Sequence, residues 1–207
     1  MSLYNDFMFI VIEGIDGAGC ETQARAIYNT LTRKHVNIPT HFLKYPHYDD
    51  SVGRMIKQFL YENKNLDAKQ QFLLYCLQFI NDAKKISDAS KKGIVVADRY
   101  FTSALCFQTL EGIKLPVALR FASDFKIEKP DFVVYLDVNP DTAIKRKYGE
   151  DKEKNRREKD FEFIRKTYKQ YDKLVKGQVW TKWVRIDGER NVDEITKDIY
   201  NKITNYK

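Results

Sequence analysis

The chain has 207 residues, of which 43% are hydrophobic and 31% charged, and its formal net charge is +7. This size and apolar fraction suffice for one well-packed core, and we expect a single domain over residues 1–207. The absence of a long apolar run and of a signal-peptide pattern argues against a membrane protein and a secreted one, and the interspersed acids argue against a nucleic-acid interface.

Three cysteines, Cys20, Cys76 and Cys106, are scattered along the chain. Their odd number and irregular spacing predict free thiols in a reducing cytoplasm and not a disulfide framework. The three histidines have no zinc-ligand spacing relative to these cysteines. We therefore expect a cytoplasmic protein without a zinc site.

Apolar, β-branched runs alternate with amphipathic segments along the chain, and this pattern predicts strands that alternate with helices. The predicted strands cover 7–12, 40–45, 93–97, 132–137 and 183–187. The predicted helices cover 22–34, 52–60, 69–90, 101–110, 141–147, 161–175 and 192–204. The alternation predicts an α/β fold, a three-layer sandwich in which a five-stranded parallel sheet carries helices on both faces.

Two segments depart from this simple pattern. The helix 69–90 contains an apolar run from Phe72 to Leu77. Because such a run covers every face of a helix, we expect it to be buried or to lie in a subunit interface, and it supports a homodimer. The segment 148–160 is almost wholly charged, and we interpret it either as a mobile lid or as the exposed turns of two helices.

A glycine-rich loop joins the first predicted strand to the first predicted helix, with Gly14 and Gly19 in the spacing G-x-x-x-x-G. The backbone N–H groups of such a loop and the positive end of the helix bind phosphate. A phosphate-binding loop normally continues with Lys and then Ser or Thr, but Cys20 and Glu21 follow here. The loop therefore predicts a nucleotide site without the lysine that normally reaches the β- and γ-phosphates.

Polar residues also follow the predicted strands at their carboxyl ends, where ligands bind in parallel α/β folds. Asp98 and Arg99 follow the third strand. An aspartate there can hold Mg²⁺, and the planar guanidinium of an arginine suits a phosphate group. A surface ion pair at the strand end is the alternative interpretation.

The string from Glu13 to Gln23, E-G-x-D-G-x-G-x-x-T-Q, resembles the start of thymidylate kinases. The triplet Asp98-Arg99-Tyr100 resembles the end of their third strand, and the similarity continues over nearly the whole chain. This resemblance implies the fold of P-loop kinases and transfer of the ATP γ-phosphoryl group to dTMP with Mg²⁺. It also implies a homodimer, because family members commonly dimerise through helices of the layer that contains the Phe72–Leu77 run.

The resemblance also implies roles for individual residues. Those implied in ATP binding are Gly14, Gly17, Ala18, Gly19, Cys20, Glu21, Thr22 and Arg146. Those implied in binding the nucleoside monophosphate are Asp16, Tyr45, Pro46, Tyr75, Arg99, Ser103, Phe107 and Gln108. Those implied in catalysis are Asp16, Arg99, Arg156 and Arg157, the last two from the lid, and those implied in metal binding are Asp98 and Glu21.

Three basic positions of the family are replaced in this sequence, by Cys20, Tyr48 and Phe79. Tyr48 and Phe79 leave open a kinase for another nucleoside monophosphate. Cys20 and Glu21 leave open a nucleotide-binding protein with little catalysis, since Glu21 would either contact Mg²⁺ or repel the triphosphate. In an active kinase, the lid arginines would offset part of the missing charge.

Overall fold

The protein was analysed as a computed structural model that describes residues 7–62, 64–151 and 153–206. Within these residues, five strands form one parallel sheet. They are β1 (Met8–Glu13), β2 (Thr40–Lys44), β3 (Ile94–Asp98), β4 (Phe132–Asp137) and β5 (Lys182–Asp187). Their order across the sheet is β2-β3-β1-β4-β5, with every neighbouring pair parallel. The central strand is therefore the one that leads into the glycine-rich loop.

Eight helices lie within the described residues. They are α1 (Cys20–Lys34), α2 (Ser51–Tyr61), α3 (Ala68–Ser90), α4 (Phe101–Leu110), α5 (Leu115–Asp124), α6 (Pro140–Gly149), α7 (Phe161–Lys176) and α8 (Val192–Thr204). Helix α1 packs against α8, whereas α4 packs against both α3 and α7. The sheet lies between these two groups, so the predicted fold class is confirmed.

The strand sequences follow from this layering. All residues of β1 and β3 are buried, as are the first five of β4. A strand covered by helices on both faces needs apolar side chains at every position, which is why these strands are unbroken apolar runs. The register pairs Ile12 of β1 with Asp98 of β3, and Lys44 of β2 with the same Asp98. The polar ends of three strands thereby meet beside the glycine-rich loop.

The element boundaries agree with the sequence predictions within one or two residues, except for α5, which was not predicted. Its segment has a start signal, since a proline lies in the first turn. It also buries Ala118 and Ala122, four residues apart, as expected for one helical face. Leu115 and Leu119 lie on the same face and pack against the core, so this helix was detectable from the sequence.

The apolar run on α3 is buried on one side only. Phe72 and Cys76 belong to the core, whereas Leu73 is 55% and Leu77 41% exposed. The expectation of burial on every face is therefore wrong for these two leucines. The alternative, a subunit interface, stays a prediction. Among the described residues, no helix combines the length and the apolarity that crossing a bilayer requires.

Candidate active site

A cleft of about 590 Å³ opens at the carboxyl edge of the sheet, beside the ends of β1, β2 and β3. Most of the residues that the sequence indicated line this one cleft. They are Asp16, Gly17, Gly19, Cys20, Glu21, Thr22, Tyr45, Pro46, Tyr75, Asp98, Arg99, Ser103, Phe107, Gln108 and Arg157. Gly14, Ala18, Arg146 and Arg156 are not among the lining residues.

The glycine-rich loop has the backbone geometry of an anion site. Gly17 and Gly19 have φ values of 89° and 90°, a conformation that favours glycine. A Cβ atom on Gly17 would also lie 2.2 Å from the carbonyl oxygen of Ala143 on α6. Gly19 caps α1 without a side-chain hydrogen bond, so the first-turn N–H groups remain available to a ligand.

Cys20 begins α1 in the position that a lysine normally occupies. Its side chain is buried, and burial raises the pKa of the thiol far above its usual range. The thiol is therefore neutral at physiological pH and behaves as a small apolar group. Cys20 supplies no charge to a phosphate.

Glu21, in the same first turn, is paired with two cations. The Nζ atom of Lys44 donates to its Oε2 atom at 2.6 Å, and Arg25 Nη2 lies 2.9 Å from its Oε1 atom. Partial burial opposes ionisation of Glu21, but these two hydrogen bonds lower the pKa overall. The carboxylate is ionised, and its charge is compensated by neighbours that line the same cleft.

Arg99 is held in a strained backbone conformation directly after β3. Its φ is 64°, and its backbone N–H donates to the carbonyl oxygen of Ile12. The guanidinium donates from Nη2 to Asp16 Oδ1 at 2.7 Å, and its carbon lies 5.5 Å from the centre of the Phe107 ring. These contacts fix a cation beside the glycine-rich loop.

The fully buried carboxylate of Glu13 organises the residues behind Arg99. It accepts hydrogen bonds from the hydroxyl groups of Thr102 at 2.7 Å and Tyr171 at 2.6 Å. Ser103 also donates to it, and Arg99 Nη1 lies 3.8 Å away. Burial raises the pKa of Glu13, although Arg99 and the hydroxyl donors oppose this effect. The carboxylate thereby connects β1 with α4, α7 and the arginine.

Asp98 ends β3 with a nearly buried carboxylate that lines the cleft. Burial raises its pKa to about 6, against the opposing charges of Arg99 and Lys44. No side chain within residues 7–62, 64–151 and 153–206 donates a hydrogen bond to this carboxylate. An oxygen ligand without a partner suits a divalent cation.

Aromatic side chains form the other end of the cleft, where Tyr75 and Phe107 lie on α3 and α4. Phe79 packs edge-to-face against Tyr100 and Phe101, with ring centres 4.9 and 6.1 Å apart. The phenylalanine therefore completes an aromatic cluster and leaves this end without a cation from α3. Flat apolar walls of this kind suit a planar base.

The three arginines from the second half of the chain to which the resemblance gives roles, Arg146, Arg156 and Arg157, have different surroundings. Arg146 donates to the carbonyl oxygens of Gly188 and Glu189, beyond β5. The backbone N–H of Arg156 donates to Leu60 of α2, and its guanidinium lies over the Phe59 ring. Arg157 donates to Gln71 and Glu111, and none of the three bonds the glycine-rich loop in the described part of the chain.

Comparison of the sequence with known protein families identifies the family to which this chain belongs. A family model described as thymidylate kinase matches residues 12–199. The chain belongs to the thymidylate kinase family. Every residue that lines the cleft lies within the matched region.

Individual thymidylate kinases match along most of their length. The chain is 32% identical to a probable thymidylate kinase of Methanococcus maripaludis, over 94% of both chains. It is 30% identical to the thymidylate kinase of Plasmodium falciparum, over 96% of this chain and 90% of that one. It is 29% identical to the thymidylate kinase of Dictyostelium discoideum, over 93% and 82%. The similarity to thymidylate kinases thus extends far beyond the loop.

The sequence analysis did not identify the residues that fix the cleft side chains in place, namely Lys44, Glu111 and Tyr171, which bind Glu21, Arg157 and Glu13. Lys and Glu are usually exposed to solvent, and neither Lys44 nor Glu111 belongs to a motif that would indicate a role in the site. Tyr171 lies on α7 and reaches Glu13 across 158 positions of sequence. Only the packing of α4 against α7 shows that contact. Lys44 was detectable in principle, because it is the last residue but one of the predicted strand 40–45.

The charge of Asp98 is predicted to cost stability. Its folded-state pKa of about 6 lies above the ordinary value of 3.8, so folding disfavours the ionised form above pH 6. This cost decreases as the pH falls below about 6, where the folded protein takes up the proton, and it is gone only below the ordinary value of 3.8. Without Mg²⁺, Asp98→Asn should therefore raise the melting temperature at pH 7.5 by roughly 2–4 °C and raise it less at pH 5.

The measurement is thermal unfolding followed by circular dichroism at both pH values. Asp124→Asn is the matched control, because Asp124 forms an exposed pair with Arg120 and should show no such pH dependence. An equal effect of Asp98→Asn at both pH values would contradict the prediction.

Proposed function

We propose that this protein is a thymidylate kinase that transfers the γ-phosphoryl group of ATP to the 5′-phosphate of dTMP. The observation that carries the proposal is that two anion sites share one cleft: the amides at the start of α1, and the Arg99 guanidinium held by Asp16. One site suits a donor phosphate and the other an acceptor phosphate. Family membership supports this assignment.

In this mechanism, the loop amides from Gly17 to Thr22 hold the donor phosphates. Arg99 binds the acceptor phosphate, and Asp16 keeps the guanidinium aimed at it. An acceptor phosphate oxygen attacks the γ-phosphorus in line, and the bond from that phosphorus to the bridging oxygen of ADP breaks. Phosphoryl transfer depends on positioning and charge stabilisation, which these fixed groups supply.

We propose that a magnesium ion binds at the same end of the cleft. Mg²⁺ is usually held by one or two carboxylates together with substrate phosphates and water. Asp98 would hold the ion, and its unbonded carboxylate supports this. Glu21, which the resemblance also implied as a ligand, already binds Lys44 and Arg25 and is the weaker candidate. When bound, Mg²⁺ neutralises charge on the donor phosphates.

We also propose that Lys44 supplies the cation that the loop lacks. Lys44 ends β2 opposite Asp98, and its ammonium group is bound to Glu21 in the first turn of α1. Glu21 thereby holds an ammonium group at the positive end of α1, where phosphates bind. The pair would place a lysine from β2 where other loops use a lysine of their own.

Lys44→Met should lower kcat/KM for ATP roughly 10–100-fold, because a charge-assisted contact to phosphate is lost. Cys20→Lys should restore much of this loss in the Lys44→Met protein, yet change the wild-type enzyme little. Steady-state kinetics measure both effects. Lys166→Met, which removes an exposed lysine paired with Glu162, is the control. Wild-type kinetics in Lys44→Met would refute the role of Lys44.

Two observations favour other functions. The neutral Cys20 thiol favours a nucleotide-binding protein with little catalysis. The replacement of a family arginine by Phe79, which is buried among aromatic rings, favours a kinase for another nucleoside monophosphate. The first alternative predicts no ADP release with any acceptor, and the second predicts a different preferred acceptor.

A coupled assay of ADP release against a panel of nucleoside monophosphates separates these functions. With ATP and Mg²⁺, we expect dTMP to give the highest kcat/KM, at least roughly tenfold above dCMP, dAMP and dGMP. Omission of Mg²⁺ should abolish turnover. Faster turnover of another monophosphate would support the second alternative, and no turnover with any acceptor would support the first.

We further propose a homodimer and a cytoplasmic location. The exposed Leu73 and Leu77 on α3 support the dimer, since large apolar side chains on one helix face commonly mark an interface. The three free, buried thiols support a reducing compartment. The charged segment 148–160 would act as a lid over the cleft, and the chain would form a single domain.

Sedimentation tests the dimer. At micromolar concentration, the wild-type protein should have about twice the chain mass of 24.4 kDa. Leu73→Asp combined with Leu77→Asp should yield the monomer, because a charge buried in an apolar interface is costly. Val36→Asp replaces another exposed apolar residue and should leave the mass unchanged. A monomeric wild-type protein would contradict the proposal.

A further inference from the structure

The cleft contains two buried nitrogen donors that bond nothing in the described part of the protein. They are Arg157 Nε and Gln108 Nε2. Both residues line the cleft, with Arg157 only 8% and Gln108 only 2% exposed. Buried donors in folded proteins nearly always have an acceptor, and each one without a partner is costly. An acceptor atom of a ligand bound in the cleft would satisfy such a donor.

The surroundings of Arg157 are aromatic. The carbon atom of its guanidinium lies 5.0 Å from the centres of the Phe107 and Phe163 rings and 5.8 Å from that of Phe59. One edge of the group is already used, since Nη2 donates to Gln71 Oε1 at 2.6 Å and to Glu111 Oε2 at 3.0 Å. The guanidinium is thus fixed in place, with its Nε–H donor still free.

This position does not suit a contact with the transferring phosphate. Arg99 serves the loop end of the cleft through Asp16, and Arg157 bonds neither of these residues. The two guanidinium groups have only Phe107 as a common neighbour among the contacts described. To reach the loop, Arg157 would have to leave a buried ion pair and three aromatic rings. These contacts favour a role for Arg157 at a part of the nucleotide other than the transferring phosphate.

We propose that Arg157 is a specificity-determining residue that reads the nucleobase of the acceptor. Its Nε–H would donate to the 4-keto oxygen of a pyrimidine, the carbonyl group farther from the sugar. The guanidinium would replace the one that Phe79 cannot supply from α3. This inference rests on the proposed function and changes the role that sequence resemblance gave Arg157, from catalysis to base selection.

The chemistry predicts discrimination between keto and amino bases. A 4-keto oxygen accepts the Nε–H bond, whereas a 4-amino group presents its own donors and leaves the arginine unpaired. A site built around a hydrogen bond rejects an analogue that cannot make it far more strongly than an apolar pocket does. Arg157 should therefore set the preference for dTMP over 5-methyl-dCMP, whose pyrimidine ring has an amino group at position 4.

The test compares Arg157→Met and Arg157→Lys with the wild-type protein. Methionine fills the space between the rings, and lysine keeps the positive charge beside Glu111 but lacks the Nε–H donor. Dissociation constants for dTMP and 5-methyl-dCMP are measured by calorimetry without ATP, and kcat is measured separately. Arg165→Met, which removes an exposed arginine paired with Asp141, is the matched control.

We expect the wild-type protein to bind dTMP roughly 100-fold more tightly than 5-methyl-dCMP. In both Arg157 variants this ratio should fall by roughly tenfold or more, through weaker dTMP binding, with kcat changed less than about threefold. If Arg157→Met does not fold, Arg157→Lys decides alone. Equal losses for both nucleotides would indicate a packing role and overturn the inference.

Three other outcomes distinguish a failure of this inference from a failure of the proposed function. A large loss of kcat with unchanged dTMP binding would show that Arg157 acts in phosphoryl transfer, and it would overturn the inference that Arg157 selects the base. A wild-type protein that neither binds nor phosphorylates dTMP would overturn the proposed function itself. A wild-type dTMP kinase whose Arg157 variants keep the full preference for dTMP would overturn only the inference.

Discussion

The buried Glu13 carboxylate is the constraint on which the rest of the site depends. A charge inside a core is tolerated only when its neighbours satisfy it, and here hydroxyl groups from α4 and α7 do so together with Arg99. The same contacts connect the central strand to two helices and hold Arg99 in its left-handed conformation. Removal of any one donor would leave the buried Glu13 carboxylate with one hydrogen bond fewer, and Arg99 would be held less firmly as well.

Charge around the phosphate-binding loop is distributed over several elements. Cys20 contributes none, while Lys44 and Arg25 approach Glu21 from β2 and from the next turn of α1. The parallel register makes this arrangement possible, because it brings the ends of β1, β2 and β3 to one edge. A side chain lost from the loop can therefore be replaced from a neighbouring strand without any change of fold.

The fold and half of the site were predictable from sequence, and the remainder was not, for a physical reason. Buried strands and the glycine-rich loop are local patterns, and they predict that Asp16, Asp98 and Arg99 lie at one edge of the sheet, where the three residues line one cleft. The environment of a long side chain depends on distant partners. Nothing near Arg157 in sequence shows that Gln71 and Glu111 bind it, or that Phe107 packs against it. Resemblance alone therefore could not predict which part of the cleft it faces.

Residues 153–160 are attached to α2 through the hydrogen bond from the Arg156 backbone N–H to the Leu60 carbonyl oxygen, and this attachment would link the position of Arg157 to the kinetics. Several of these residues line one side of the cleft, and one of them, Arg157, carries the donor proposed to read the base. A correct base would then stabilise closure, and an incorrect one would leave the cleft open to solvent. Substrate selection and protection of ATP from water would become a single conformational event, which limits wasteful hydrolysis when no suitable acceptor is bound.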